Sequence, residues 1–134
     1  EINLIEGVRE LIQHYYENNL ILILASSASM DNINMIFKKF DLDHYFKMKI
    51  SGADLKASKP HPEIFEKAVA FSGHSKVDCL VIEDSTNGIL AAKAADIYCV
   101  GFDSEHSKNQ DYSSADLVIN SFDDIRVENL KMLL

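Results

Sequence analysis

One short stretch limits the possible folds of this chain more than any other part of the sequence. The apolar run Leu80-Val81-Ile82 leads into Glu83 and Asp84, and the small polar segment Ser85-Thr86-Asn87-Gly88 follows. A continuous apolar run of strand length is typical of a parallel β-strand that is covered on both faces. Ligands bind beyond the carboxyl ends of such strands. The stretch therefore predicts a buried parallel strand that carries two carboxylates to a site.

The two carboxylates have two interpretations. Neighbouring side chains of a regular strand point to opposite faces, so Glu83 and Asp84 both face one cation only if the chain turns there. Residues 85–88 can supply that turn, and hard carboxylate oxygens suit Mg²⁺. In the other interpretation, Asp84 or Ser85 only caps the next helix, which is the commoner role of such residues.

Other apolar runs alternate with segments whose apolar residues recur at helical spacing. Strands are predicted at residues 20–25, 47–51, 80–82, 97–102 and 117–119. Helices are predicted from residue 8 to the Asn18-Asn19 pair, at residues 30–40, between Pro62 and Gly73, at residues 88–95, and after Ser121. This alternation implies a doubly wound α/β architecture, in which a parallel sheet lies between helix layers and right-handed crossovers join the strands.

Several residues mark where these elements are expected to end. Ser29 is placed to cap the helix at residues 30–40, and Ser121 with Asp124 three residues later forms a capping-box start. Pro62 suits a first helical turn and Gly73 suits a helix exit. The polar composition of residues 103–114 predicts an exposed loop.

Length, charge and cysteine usage restrict the class of protein. The 134 residues indicate a single domain, 1–134, with enough apolar side chains for a core. A formal net charge of −8 argues against a nucleic-acid partner, and the sequence has no apolar run of membrane-spanning length. Cys79 and Cys99 lie in apolar stretches, as buried thiols do, which predicts an intracellular, cytoplasmic protein. The five histidines are scattered without metal-binding spacing.

Three groups of polar residues follow predicted strands or precede predicted helices: Ser26 with Ser27, Lys59, and Glu83 with Asp84. A hydroxyl beside the N–H groups of a helix N-terminus can bind an anion, a lysine adds a mobile cation, and carboxylates hold a divalent metal. Together these groups are suited to phosphoryl transfer. Each also has a simpler interpretation, because an isolated serine there usually caps a helix and a lysine beside prolines is usually an exposed loop residue.

In these three places the chain resembles the haloacid dehalogenase-like (HAD) hydrolase superfamily, and within it the β-phosphoglucomutase-like phosphatases. Residues 24–29 resemble the second motif of the family, whose serine or threonine hydrogen-bonds the transferring phosphoryl group. Residues 58–65 resemble the third motif, whose lysine stabilises the phosphoaspartate. Residues 81–88 resemble the fourth motif, whose acids bind magnesium. The resemblance covers essentially the whole chain.

The resemblance implies a three-layer, Rossmann-like fold and a Mg²⁺-dependent phosphatase that acts on a small phosphorylated metabolite through a phosphoaspartate. It also implies the role of each site residue. Ser26 and the Ser27 backbone would hold the phosphoryl oxygens, and Lys59 would offset their charge. Glu83 and Asp84 would hold Mg²⁺. A phosphosugar mutase and a non-catalytic binding or regulatory module are the alternatives.

Two features of the family are missing from this sequence. The family begins with a strand that ends in an Asp-x-Asp motif, whose first aspartate is the nucleophile, and a helical cap follows that strand. Asp41-Leu42-Asp43 has the spacing but follows a predicted helix, so it is not that motif. We therefore expect the chain to be a fragment of a longer enzyme, or another segment to fill the gap. The chain alone is expected to lack the covalent mechanism.

The missing segment also has a structural consequence. In the family fold the first strand lies centrally, between the serine-motif strand and the acidic-motif strand. Its loss is expected to leave two unpaired inner strand edges. Such edges pair readily with other chains, so self-association through them is expected.

Two other classes of protein fit the sequence less well. A receiver domain of a two-component system also combines acids, a hydroxyl and a lysine, but there the acidic pair comes at the first strand and the lysine near the last. Here the order is serine, lysine, acids. A dinucleotide-binding fold would need GxGxxG after a strand, and the sequence has none.

Overall fold

The computed structural model describes residues 4–104 and 109–130, and helices alternate with strands as far as residue 102. The helices are α1 (Val8–Glu17), α2 (Met30–Phe40), α3 (Glu63–Ser72), α4 (Thr86–Ala94) and α5 (Val127–Leu130). The strands are β1 (Ile23–Ser26), β2 (Met48–Ser51), β3 (Leu80–Glu83), β4 (Tyr98–Phe102) and β5 (Leu117–Ile119). Within the described residues, none of the helices has the length and apolar character needed to cross a membrane.

Local capping explains why most elements begin and end where the sequence predicts. The Ser29 side chain accepts a hydrogen bond from the Asn32 N–H at the start of α2, which confirms its predicted role as N-cap. Pro62 precedes α3, and Gly73 ends it in a left-handed conformation with φ of 76°. Ser85 caps α4 by accepting from the Gly88 N–H at 3.0 Å.

All strand pairs are parallel, which confirms the predicted α/β class. The strands nevertheless form two sheets, because β1 pairs with β2 and the second sheet has the order β3-β4-β5. In the first sheet Ala25 is paired with Ile50, and in the second Glu83 is paired with Gly101. Among the described residues, no strand joins β1 to β3. The predicted gap between the serine-motif strand and the acidic-motif strand is therefore present.

Helices cover both faces of these sheets, and each face has its own core. On one face, α1 and the C-terminal elements pack on β4 and β5, with the buried residues Leu11, Tyr15, Val100, Phe102, Ile119, Phe122, Ile125 and Leu130. On the other face, α3 and α4 pack on β2 and β4, with the buried residues Ile50, Ile64, Phe65, Ile89, Ala91, Ala92, Ile97 and Cys99. A smaller core under α2 contains Ile33, Phe37 and Leu42. This arrangement matches the expected helix layers.

The structure corrects two predictions near the C-terminus. The predicted closing helix is divided into a 3-10 helix, Phe122–Ile125, and the short α5, and the Ser121 hydroxyl accepts from the Asp123 N–H. The predicted exposed loop at 103–114 is only partly exposed, because Ser104 is buried and Gln110 and Tyr112 are half-buried. Part of this loop lies outside the described residues.

Candidate active site

The turn after β1 holds the two predicted serines. The Ser26 hydroxyl accepts a hydrogen bond from the Ala28 N–H at 3.1 Å, which closes the turn tightly before α2. From below, the buried Ser51 hydroxyl donates to the Ala28 carbonyl at 2.6 Å. Gly52 lies against the backbone of this turn, since a Cβ at position 52 would be 3.4 Å from the Ser26 carbonyl oxygen. Ser26 is half-buried and Ser27 is exposed.

Lys59 connects the two sheets across the gap. Its Nζ donates to the Ala25 carbonyl on β1 at 3.1 Å and to Glu83 Oε2 on β3 at 2.5 Å. Both side chains of this ion pair are only 10% exposed. The Lys59 ammonium also lies 5.1 Å from the centre of the Phe65 ring. A lysine held this way supplies fixed positive charge between the two unpaired strand edges.

Glu83 is held from several sides. Besides Lys59, the Ser85 hydroxyl donates to Glu83 Oε1 at 3.3 Å. The carboxylate lies against the first turn of α4, where a Cβ at Gly88 would be 2.1 Å from it. The glycine therefore leaves the space that the carboxylate occupies, close to the positive end of the helix dipole.

Asp84 is the first residue beyond the β3–β4 pairing, which ends at Glu83 and Gly101. Its backbone carbonyl accepts a hydrogen bond from the Tyr112 hydroxyl at 3.2 Å. Beside it, the Thr86 N–H donates to Gln110 Oε1 at 2.8 Å. Gln110 and Tyr112 are not predicted from the sequence as site residues, because they lie in a polar segment without hydrophobic periodicity.

A groove of about 720 Å³ lies between the inner edges of β1 and β3. All five predicted site residues line it: Ser26, Ser27, Lys59, Glu83 and Asp84. Its apolar walls include Leu24 and Ile82 from the two strands, and Gln110 also lines it. A hydroxyl, an ammonium and two carboxylates thus open on one cleft at the carboxyl ends of the two strands.

Another cleft, of about 610 Å³, lies beside α1 and the end of β4. It is lined by acidic residues such as Glu10 and Asp103 together with His14 and Arg126, and by none of the predicted site residues. Asp41 and Asp43 line neither cleft. They lie at the end of α2, where Asp43 pairs with Lys49 at 2.5 Å. This position agrees with the rejection of that pair as a catalytic motif.

The surroundings of the groove shift the pKa of nearby groups. Burial, and then the negative charge of Glu83, raise the pKa of the Cys99 thiol to about 12, so Cys99 stays protonated at neutral pH. Partial burial and the charges of Asp103 and Asp84 raise the pKa of Tyr112. Its hydroxyl therefore remains a hydrogen-bond donor to Asp84 over the physiological range.

The donor set at this end of β3 fits Mg²⁺ better than a transition metal. Within residues 4–104 and 109–130, no group of three or more His, Cys, Asp and Glu side chains is placed to share a metal ion. Mg²⁺ uses one or two carboxylates and keeps several water ligands, whereas zinc sites need three or four protein ligands. Glu83 and Asp84 both line the groove, and Glu83 is paired with Lys59.

Comparison with known proteins agrees with this geometry. The family model described as haloacid dehalogenase-like hydrolase matches residues 1–102. The chain is 30% identical to hexitol phosphatase B of Escherichia coli over 95% of its own length and 58% of that protein. It is 31% identical to β-phosphoglucomutase of Bacillus subtilis over 96% of its own length and 54% of that protein. The chain thus spans just over half of the length of these two relatives.

Solved structures support the same fold. The crystal structure of CbbY from Rhodobacter sphaeroides superposes with a TM-score of 0.88 over 98% of this chain and 60% of that one, at 24% identity. This likeness concerns the fold. The family match over most of the sequence, together with the two curated relatives, shows that the chain belongs to the haloacid dehalogenase-like hydrolases, in the β-phosphoglucomutase-like phosphatase group.

Proposed function

We propose that the protein containing this chain is a Mg²⁺-dependent phosphatase that hydrolyses a small phosphate ester through a phosphoaspartate. The observation that carries the proposal is the position of Lys59, whose Nζ lies between the Ala25 carbonyl and Glu83 Oε2. An ammonium held there can neutralise phosphoryl oxygens that enter the groove beside Ser26.

The remaining site residues have distinct roles in this proposal. The Ser26 hydroxyl and the Ser27 backbone bind phosphoryl oxygens at the N-terminus of α2. Asp84, with Glu83 beside it, holds Mg²⁺, which when bound supplies positive charge to the phosphoryl group and the nucleophile. Glu83 also keeps the Lys59 ammonium in place.

We further propose that the groove receives a strand from outside this chain, and that this strand carries the nucleophilic aspartate. Both inner edges are unpaired in the described residues, and the groove between them has apolar walls that include Leu24 and Ile82. The chain also spans only part of its relatives. In this proposal the chain is a partial core domain and is inactive alone.

The test is phosphatase activity on an aryl phosphate with Mg²⁺. The chain alone is compared with the chain mixed with a separately prepared segment that contains an Asp-x-Asp strand and a helical cap. Activity is expected only in the mixture, and Lys59→Met should abolish it, whereas Lys93→Met, outside the groove, should not. Activity of the chain alone would contradict the account of the nucleophile. An inactive but folded mixture would favour a non-catalytic module.

A phosphosugar mutase is the second candidate, because the B. subtilis relative bears that name at 31% identity. The two reactions differ in their products. A phosphatase releases inorganic phosphate, whereas a mutase returns the phosphoryl group to another hydroxyl of the sugar. Incubating the active mixture with a hexose phosphate and measuring both products distinguishes them.

The proposed partner is a small phosphorylated metabolite, in a cytoplasmic setting, with no role for nucleic acid or a membrane. Self-association through the unpaired edges of β1 and β3 is expected for the chain alone. Light scattering at several concentrations measures it. The added strand segment should return the chain to a single copy, and a chain that is monomeric at every concentration would contradict edge pairing.

A further inference from the structure

The segment at residues 109–112 follows β4 along the chain and lies against the first turn of α4. Three hydrogen bonds join the two: Tyr112 Oη to the Asp84 carbonyl at 3.2 Å, Thr86 N–H to Gln110 Oε1 at 2.8 Å, and Asp111 N–H to Thr86 Oγ1 at 2.7 Å. These contacts connect residues far apart in sequence. They surround the residue that the proposed function assigns to the metal.

Tyr112 forms a hydrogen bond to the backbone directly after the last residue of β3 that pairs with β4. The last pair of the β3–β4 ladder is Glu83 with Gly101, and Asp84 is the first residue beyond it. The Tyr112 ring lies over Gly101, since a Cβ there would be 3.2 Å from Cδ1 of the ring. The missing side chain at position 101 thus makes room for the ring, and the hydroxyl reaches the Asp84 carbonyl.

Gln110 binds the next peptide group along the chain, the one between Ser85 and Thr86. The Thr86 N–H belongs to the first turn of α4, where backbone N–H groups have no partner within the helix. Ser85 satisfies the Gly88 N–H, and Gln110 satisfies that of Thr86. Thr86 is also held through its hydroxyl by Asp111. The peptides on either side of Ser85 are therefore fixed from outside the turn.

We propose that Gln110 and Tyr112 are positioning residues that set the direction of the Asp84 carboxylate into the groove. This inference rests on the proposed function, in which Asp84 holds Mg²⁺. Neither residue needs to touch the metal. Because Asp84 lies between the last strand pair and the first helical turn, its carboxylate direction follows from how the 83–86 backbone is held. Outer residues that orient metal ligands typically change metal affinity by about tenfold or more when replaced.

Hydrogen exchange of the Thr86 amide, followed by NMR on the 134-residue chain, tests the contact itself. Gln110→Met keeps the size of the side chain but removes the acceptor, so the Thr86 amide should exchange about tenfold faster. Gln110→Glu keeps an acceptor oxygen and should restore the slow exchange. The matched control is Gln13→Met, because Gln13 bonds to Tyr45 and does not line the groove. Unchanged exchange in Gln110→Met would overturn the assignment.

Titration with Mg²⁺ of the chain mixed with the separately prepared Asp-x-Asp segment, followed by the amide shifts of residues 84–88 of the chain, tests the consequence. Gln110→Met should raise the dissociation constant about tenfold. Tyr112→Phe, which leaves the ring over Gly101, should raise it about threefold, as expected for one neutral hydrogen bond. Tyr45→Phe is the control and should leave it unchanged. Mg²⁺ affinity that is the same in all variants would overturn the positioning role.

The two readouts separate this inference from the proposed function. If the amides of the unaltered chain do not respond to Mg²⁺, the metal role of Asp84 fails, and the positioning role toward that metal fails with it. If they respond and the variants bind as tightly as the parent, only the positioning role fails. Faster Thr86 exchange together with weaker Mg²⁺ binding supports both.

Discussion

The turns after β1 and β3 both lead from a parallel strand into a serine-capped helix, yet they are supported very differently. The serine turn is closed by its own hydrogen bond from Ala28 to Ser26 and by Ser51 beneath it. The acidic turn is held by contacts that arrive from distant parts of the chain, among them Lys59 and Tyr112.

The difference follows from charge. A hydroxyl is neutral, so a local turn satisfies it at little cost. A carboxylate that is only 10% exposed needs a cation and several donors, because an unpaired buried charge is strongly unfavourable. The acidic turn therefore depends on an ion pair with a distant lysine, whereas the serine turn needs only neutral hydrogen bonds within the turn and from Ser51.

Lys59→Met is the substitution whose effects on the two turns are expected to differ most. It leaves the Glu83 carboxylate buried without its cation, and removing one partner of such a pair typically costs about 3 kcal/mol or more. Urea unfolding followed by circular dichroism measures the loss. The β1 turn loses only the hydrogen bond from Lys59 to the Ala25 carbonyl, and it should keep its geometry because the bonds from Ala28 to Ser26 and from Ser51 to Ala28 remain.

The half-exposed pair of Lys93 with Asp116 supplies the control, since those side chains are 30% and 31% exposed. Lys93→Met should cost less than about 1 kcal/mol. The double variant Lys59→Met/Glu83→Gln should recover part of the loss, because the uncompensated charge is gone. Equal losses for Lys59→Met and Lys93→Met would contradict the role given to burial.

Gly88→Ala and Gly52→Ala make the same change in the two turns. At position 88 the new methyl group meets the Glu83 carboxylate at 2.1 Å, so the carboxylate must shift from the position in which it pairs with Lys59. At position 52 the nearest atoms are 3.4 Å away, an ordinary contact. We expect Gly88→Ala to lower the free energy of unfolding by about 2 kcal/mol, despite the better helix propensity of alanine. Gly52→Ala should be nearly neutral, and equal effects would contradict the comparison.

The elements that local contacts hold are predicted well from the sequence, whereas those that distant contacts hold are predicted less well. The helix at 30–40 and the strand at 117–119 are predicted with their observed bounds, because caps and apolar runs are local signals. The prediction of one continuous closing helix is wrong, and a distant residue binds the backbone at the point where the helix is interrupted. The Tyr15 hydroxyl donates to the Ile125 carbonyl at 2.6 Å, and Arg126 is extended, so the 3-10 helix ends before α5 begins.

The candidate site shows the same division. Ser26, Lys59 and Asp84 could be selected from the sequence, because each stands beside a strand end or a helix start in a recognisable motif. Gln110 could not, since its contact with Thr86 spans 24 residues and no periodic pattern marks it. Residues that support a charged group through tertiary contacts leave no local signature in the sequence.

Ser85→Ala and Ser29→Ala compare the two helix caps. Both serines accept a hydrogen bond from the N–H three residues later, and the loss of such a cap costs about 1 kcal/mol. Ser85 also donates to Glu83 Oε1 at 3.3 Å, so its replacement should cost a few tenths of a kcal/mol more. Thermal unfolding of both variants measures the difference. A larger loss in Ser29→Ala would show that the acidic turn needs its hydroxyl less than its position suggests.

Asp116→Asn has the smallest expected effect on the free energy of unfolding. It measures how much a partly exposed, paired carboxylate contributes to stability. Burial by itself would raise the pKa of Asp116, but the hydrogen bonds from Lys93 and from the Cys99 N–H outweigh it and hold that pKa below its ordinary value of 3.8. A carboxylate with a lowered pKa in the folded state stabilises the fold above its unfolded pKa, and this stabilisation is lost as the pH falls through the lowered value.

The unaltered chain should therefore be more stable than the Asp116→Asn variant at pH 7, by less than about 1 kcal/mol. The charge-dependent part of that difference should stay constant down to about the ordinary aspartate pKa and shrink only below it. Urea unfolding at a series of pH values measures this, with Asp96→Asn as the control, because the Asp96 pair with Lys76 is mostly exposed. Asp96→Asn should change stability less than Asp116→Asn does. If the stability difference between the chain and Asp116→Asn instead grows as the pH falls, burial rather than Lys93 determines the pKa of Asp116. Partial exposure would then not explain why this pair is weaker than the pair of Lys59 with Glu83.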